Sequence, residues 1–280
     1  MAEKSMTMNS SYYNLKRKIL INLVAGGSTL VTVIVFSSFM KFYTDMIGLS
    51  PAVYGVVFLI FSIWNGLNDP IVGYWADKRP FLSGYGKYLP LIRWAIPVIG
   101  VSLIALLFAN PAWDELVIAI FLLLLLLVYE GAQTMLGVSF MAFTVNTFLS
   151  MKERTEVQVI ATYINMIPTF LGGMIPVWFL TGEYSRMTLA AIFSGAIVLG
   201  LILVWIGSRF IREDETFYKN MQVTQGLKEL WVLAKDLFRD KTFSIFMASF
   251  FLIMAATGNY FSGYIYYMDN VLQVSGLRAT

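Results

Sequence analysis

The chain has 280 residues, of which 58% are hydrophobic, 16% aromatic and only 13% charged, about half the charge expected of a soluble domain. A mean hydropathy of +0.70 calls for a lipid solvent, so the sequence reads as an integral membrane protein. Cysteine and histidine are both absent, which excludes disulfides, thiolate chemistry and the commonest metal ligand, and any proton traffic falls to carboxylates.

The predicted fold is all-α, a polytopic helical bundle of about seven spans, each close to the ~20 residues that cross ~30 Å of hydrocarbon. Residues 1–19 form a polar N-terminal segment. Span one, 20–44, is too long for a removed signal peptide and lacks a small-residue cleavage site. It offers Ser28, Thr29 and Thr32 beside Gly26 and Gly27. Span two, 51–77, opens with Ser50 as a cap and Pro51 in the first turn. Midway it carries Asn65, Asn68 and Asp69 at i, i+3 and i+4, so one helical face presents amide and carboxylate oxygens, and Gly73 and Asp77 continue the stripe.

Asp69 lies about 12 Å along the helix from Asp77. At that depth an aspartate facing lipid costs up to roughly 2.5–3.5 kcal/mol, so Asp69 is expected to face the bundle or a water-filled cavity. Pro70 frees the Gly66 carbonyl as a further ligand. Oxygens so arranged suit a hard cation, or a proton held on the carboxylate. The plainer alternative is a polar cluster that only joins helices.

Span three, 88–109, is followed by span four, 116–148, in which Glu130 sits midway behind "LVIAIFLLLLLLVY". Gln133, Thr134 and Gly137 share its face. Such a glutamate is either neutral and hydrogen-bonded or takes part in a transport cycle. Span five, 157–181, has a stripe of Gln158, Thr162, Asn165 and Thr169; span six covers 187–208. The connection 209–241 turns amphipathic, with Leu227, Leu230, Trp231, Ala234, Leu237 and Phe238 opposite Lys228, Lys235 and Arg239. It fits a helix lying on the membrane surface, or equally a linker helix packed on the helix ends.

Span seven, 242–268, places Tyr260, Tyr264 and Tyr267 near Asn259. Together the stripes fit a polar, aromatic-walled cavity for a hydroxylated solute, with Thr29, Gln133, Thr162, Asn165 and Tyr264 as candidate contacts. Taken singly, each stripe also fits helix packing. The basic residues lie on one side of the predicted spans except Lys41, Arg186 and Arg278. That predicts a cytoplasmic N-terminus and an outer C-terminus. "FYTDMIGLSPA" at the end of span one and "YYMDNVLQVSGLRA" at the end of span seven form a faint repeat, which makes span seven the start of a second, related bundle.

"FYTDMIGLSPA", "WNGLNDPIVGYWADKRP…GYGKYLP" and "KERTE" resemble the glycoside–pentoside–hexuronide:cation symporters of the major facilitator superfamily. The resemblance implies two six-helix bundles rocking around a midplane site, of which 20–208 is the first and 242–280 opens the second. The chain is thus expected to be part of a longer protein whose second half lies elsewhere. It further implies that Asp69, Asn68 and Thr134 hold a coupling cation, and that Asp77 with the basic loop from Lys78 and Arg79 forms the inner gate. Departures from the family pattern are specific: an aspartate of helix two is Asn65 here, and Thr29, Gly137 and Thr162 replace two sugar-binding aspartates and an arginine. Losing such a set together leaves no buried charge unpaired, and Glu130 is a candidate to have taken over a carboxylate role.

The leading expectation is a secondary symporter of a bacterial inner or plasma membrane, moving a small polar or sugar-like solute with a proton or sodium ion. Its partners are then the solute, the lipid bilayer and the missing half. A carrier of a lipid or amphipathic solute on the same fold is the second reading, and a partial, non-transporting membrane protein the third. A complete seven-helix protein also stays open. No nucleophile–base set, metal cluster or phosphate loop has workable spacing, so neither an enzyme, a metal, a cofactor nor a nucleic-acid partner is expected.

Overall fold

The computed structural model describes residues 12–181, 184–215, 218, 232 and 235–273. Its long helices, in chain order, are α1 (Leu15–Lys41), α2 (Pro51–Lys78), α3 (Leu89–Leu107), α4 (Glu115–Thr147), α5 (Met151–Leu180), α6 (Arg186–Ser208) and α7 (Lys241–Tyr266). Helices α1 to α6 are long and apolar enough to cross a membrane. The 26 residues of α7 extend about 39 Å. The architecture is therefore the expected all-α membrane bundle.

Helix starts follow local chemistry. Asn14, Ser50, Asp114, Ser150, Ser185 and Asp240 each accept a first-turn backbone N–H with the side chain, the preferred residue types for that position. Ser150 starts α5 well before the predicted residue 157, and Asn14 starts α1 before residue 20. Hydropathy marks where lipid begins, whereas the caps mark where the backbone turns helical, and the polar stretches between belong to the helix.

The paired sequence repeat has a structural counterpart. Phe42–Ile47 and Tyr267–Val271 each wind into a π-helical turn at the end of α1 and α7. They close through Leu49 N to Tyr43 O at 3.0 Å and Leu272 N to Tyr267 O at 3.1 Å. These two ends meet: Thr44 Oγ1 lies 2.7 Å from the Tyr266 hydroxyl.

In the bundle α1 is central, packed mainly on α5 and α6, and it also touches α7 and α4; α3 joins α4 to α6, and α2 lies along α4. Helices α1 and α6 approach closely at Gly27 and Gly200. A Cβ on Gly27 would fall 2.2 Å from the Gly200 carbonyl, so only glycine lets these backbones meet. Phe39, Phe42, Tyr43 and Phe193 fill the interior at the π-turn end, and Tyr43 donates its hydroxyl to Leu106 O at 2.9 Å. By contrast α2 and α5 are the least buried of the six helices α1 to α6. Most of the predicted amphipathic segment, including Leu227, Leu230, Trp231 and Ala234, lies outside the described residues, while 235–239 is helical and exposed.

Candidate functional site

The polar residues predicted on α2 and α4 meet along one seam. Asn65 donates Nδ2 to Glu130 Oε1 at 2.9 Å, and buried Asn68 donates Nδ2 to the Glu130 backbone carbonyl at 3.3 Å. One turn further, Thr134 donates its hydroxyl to Asp69 Oδ1 at 3.0 Å. The i, i+3, i+4 spacing on α2 and the i, i+4 spacing on α4 place the two sets opposite each other. Glu130 and Thr134 are buried, whereas Asp69 is bonded on one side and open on the other. Two carboxylates thus share a cleft with amide and hydroxyl groups, and Asp69 is accessible from outside the seam.

Next to this seam, Gln133 faces α1 and donates Nε2 to Ser28 Oγ at 2.6 Å and Thr32 Oγ1 at 2.9 Å. Its Oε1 is buried without a partner. A separate cavity of about 300 Å³ opens between α1, α4 and α5, lined by Asn22, Gly137, Phe140, Arg154, Gln158 and Asn165 among others. Of the predicted solute contacts only Asn165 lines it. Thr29 is half-buried on α1, and Thr162 is exposed and spends its hydroxyl on the Gln158 carbonyl at 3.0 Å. Tyr264 packs on α7 beside Tyr260, ring centroids 5.4 Å apart. These candidates are therefore dispersed and do not form one site, and the Asn259 side chain lies outside the described residues.

The predicted gate residues sit at the end of the bundle that carries most of the basic loops, with partners sequence reasoning missed. Asp77 Oδ1 accepts the Tyr88 hydroxyl at 2.8 Å, and the Asp77 backbone carbonyl accepts Lys87 Nζ at 2.7 Å. Lys78 and Arg79 rest instead on the rings of Tyr74 and Trp75, at 4.4 and 5.2 Å. The loop is strapped from above by Glu213, whose carboxylate accepts the backbone N–H groups of Lys87, Tyr88 and Leu89 at 2.5–3.1 Å. It thereby caps α3, whose own N-cap residue, Tyr88, makes no side-chain capping bond to the first turn. Gly86 makes room: its φ is +87°, and a Cβ there would meet Glu213 at 2.8 Å.

Tyr13 completes the strap, its hydroxyl accepting Arg212 N at 2.8 Å and donating to Arg212 O at 2.9 Å. Burial, then the bond to Asp77, pushes the Tyr88 hydroxyl well above the usual tyrosine range, and burial does the same at Tyr13. Burial lowers Lys87, against the opposing pull of Asp77 and Glu213. The signal for Glu213 was present as an acidic run in an otherwise basic loop. Its target, three N–H groups 124 to 126 positions away, has no local sequence pattern.

The chain is thus a polytopic helical bundle with two carboxylates between α2 and α4, one buried and one open, and a polar cavity among α1, α4 and α5. The chain belongs to the family described as MFS/sugar transport protein, which matches residues 19–280. It is 31% identical over 115 residues to a putative sulfoquinovose importer of Escherichia coli (strain K12), covering 39% of this chain and 24% of that protein. It is 30% identical over 139 residues to an uncharacterised symporter, YnaJ, of Bacillus subtilis (strain 168), covering 49% and 28%. A putative 2,3-dihydroxypropane-1-sulfonate exporter of Escherichia coli (strain K12) is 26% identical over 202 residues, covering 71% and 34%. Each match thus spans about a third or less of the relative's own length.

Proposed function

We propose that this chain is the substrate-handling part of a cation-coupled carrier that moves a small sugar-like solute by alternating access. The observation that carries the reading is the seam of Asp69, Glu130, Asn65, Asn68 and Thr134 between α2 and α4. Two carboxylates in one low-dielectric cleft repel when both are charged, and a proton or a sodium ion between them relieves that repulsion. Asp69 is the cation's entry-side ligand, Glu130 its buried partner, and the amides and hydroxyl complete an oxygen set suited to a hard ion. The end holding Lys78, Arg79 and Lys87 is the cytoplasmic one, by the distribution of basic residues. There Asp77 and the strapped α2–α3 loop form the inner gate.

The relatives' names support a solute of the sugar or sugar-derived class. The test is uptake by proteoliposomes under imposed sodium or proton gradients, offering labelled sugars and sugar acids. Gradient-driven accumulation that the Asp69→Asn protein loses, while it still exchanges solute across the membrane, supports the assignment. Undiminished accumulation by that variant removes Asp69 from coupling.

A further inference from the structure

Two cations at the end of α2 are matched by no anion of the protein. Lys78 Nζ lies 4.4 Å from the centre of the Tyr74 ring, and the Arg79 guanidinium 5.2 Å from that of Trp75. Neither side chain pairs with a carboxylate among the described residues. Helical side chains lean toward the helix N-terminus. Each ring belongs to the residue four positions earlier, so both charges fold back one turn along the spanning helix. They thereby lie level with a tyrosine and a tryptophan, the side chains that collect at the headgroup layer of a bilayer.

The same two cations border a cavity of about 340 Å³, at the lower end of the range for small-ligand sites. Its charges do not cancel. Lys87 Nζ donates to the Asp77 backbone carbonyl at 2.7 Å, and the Asp77 carboxylate accepts the Tyr88 hydroxyl at 2.8 Å, so Lys87 and Asp77 offset each other. What remains is Lys78 and Arg79 against the exposed Glu215, a surplus of positive charge. Phe81 and Tyr218, with ring centroids 5.7 Å apart, supply an apolar part of the lining. Outside the cavity Leu67, Ile71 and Trp75 are exposed. They lead to Arg79 in steps of four along α2, an apolar track that ends at a charge.

We propose that this end of α2 binds an anionic phospholipid of the adjacent leaflet. Lys78 and Arg79 hold its phosphodiester, the natural partner of an ammonium and a guanidinium, and an acyl chain lies along Trp75, Ile71 and Leu67. A soluble anion has no use for the apolar track, and a zwitterionic headgroup leaves the surplus charge in place. Because Lys87 of the α2–α3 loop borders the same cavity, the bound headgroup ties the end of α2 to that loop. The proposal needs only that α2 spans the membrane; neither the ion nor the solute assignment enters it.

The test is thermal unfolding of the 280-residue chain in a non-ionic detergent, titrated with dioleoyl phosphatidylglycerol, dioleoyl phosphatidylcholine or soluble glycerol phosphate. Phosphatidylglycerol is expected to reach half-maximal stabilisation at a concentration at least about tenfold below that of phosphatidylcholine, as two basic residues at headgroup level imply. Glycerol phosphate is expected to be inert over the same range. K78Q/R79Q abolishes the preference. R209Q retains it, because Arg209 rests on Trp205 in the same way, at 5.0 Å, yet does not line the cavity. E215Q keeps both cations and removes the opposing carboxylate, so it tightens phosphatidylglycerol, a result that stands even if K78Q/R79Q fails to fold. Equal stabilisation by the two lipids overturns the proposal. So does a preference that survives K78Q/R79Q, that R209Q reduces as strongly, or that E215Q fails to strengthen. Glycerol phosphate acting as well as the lipid makes this a soluble-anion site, and no response to either lipid leaves the apolar track to a protein partner; both outcomes overturn the lipid assignment.

Discussion

Replacing Asp69 by asparagine is the most informative single perturbation, because it changes charge with little change of shape. Asparagine keeps an oxygen for the Thr134 hydroxyl, now 3.0 Å from Asp69 Oδ1, so the α2–α4 seam stays closed. What it removes is one of the two carboxylates facing the proposed ion. Truncating one partner of a desolvated charge pair costs about 2–5 kcal/mol; Asp69 is open on one side, so the lower half of that range applies, and about 3 kcal/mol corresponds to ~150-fold weaker binding. At an ion concentration 100 times the dissociation constant, binding stabilises the folded protein by about 2.7 kcal/mol. With the constant raised ~150-fold, the same concentration gives only about 0.3 kcal/mol.

The assay is thermal unfolding of purified protein across a sodium titration at constant ionic strength, and separately across pH. The original protein is expected to show an ion-dependent upward shift of a few degrees, almost absent in Asp69→Asn. If both proteins respond identically to sodium and to pH, the seam does not bind the coupling ion, and the charge argument fails however the carrier moves its solute.

Further outcomes follow from other parts of the fold. Glu130→Gln keeps an oxygen for Asn65 and is expected to abolish gradient-driven accumulation at least tenfold while leaving solute exchange, read in counterflow. Gly27→Val drives a side chain into the Gly200 carbonyl 2.2 Å from the added Cβ; overpacking of this kind costs about 1–3 kcal/mol or more, visible as a lower unfolding temperature. Glu213→Ala uncaps α3, and amide exchange at Lys87, Tyr88 and Leu89 is expected to quicken by roughly tenfold or more, as about 1–2 kcal/mol of capping is lost. Tyr88 is held protonated by burial and by Asp77. The folded form therefore keeps a proton that the unfolded chain releases above about pH 10, and stability falls as pH rises through that value. Tyr88→Phe is expected to make the alkaline loss shallower by about 1.4 kcal/mol per pH unit.

The helices, their order and the seam were legible because each rests on a pattern short enough to read locally. Apolar runs gave the spans, Ser50 and Pro51 the start of α2, and the i, i+3, i+4 spacing put Asn65, Asn68 and Asp69 on one face. Contact between that face and Glu130 with Thr134 was less secure. Facing polar stripes on two helices are compatible, but nothing in either stripe fixes their relative height in the membrane. The solute contacts were least legible. Thr29 and Thr162 came from polar stripes and from register with a family pattern, and helix rotation decides whether such positions reach a cavity. Arg154 appeared only among the basic residues and within "KERTE", and Asn22 was not singled out, since the cavity both line forms only where three separate helices converge.

Helix α4 connects these features physically. Within about 10 Å of rise from Glu130 to Gly137, it presents Glu130 and Thr134 to α2, Gln133 to α1, and Gly137 to the cavity that Arg154 borders. Its end is then gripped by Arg154 through the Val145 and Phe148 carbonyls. On the proposed reading an ion between Asp69 and Glu130 would fix the rotation of α4 against α2, and that rotation sets the position of Gly137 and Phe140 in the cavity wall. A solute in that cavity would meet the same helix nearer its other end. Coupling between ion and solute then requires no long relay, only one rigid helix whose orientation both ligands prefer. A double substitution, Asp69→Asn with R154Q, tests this directly. If α4 transmits the preference, the effects on solute affinity of removing each group are non-additive by 0.5 kcal/mol or more. Strict additivity makes the two sites independent and rules out α4 as the link.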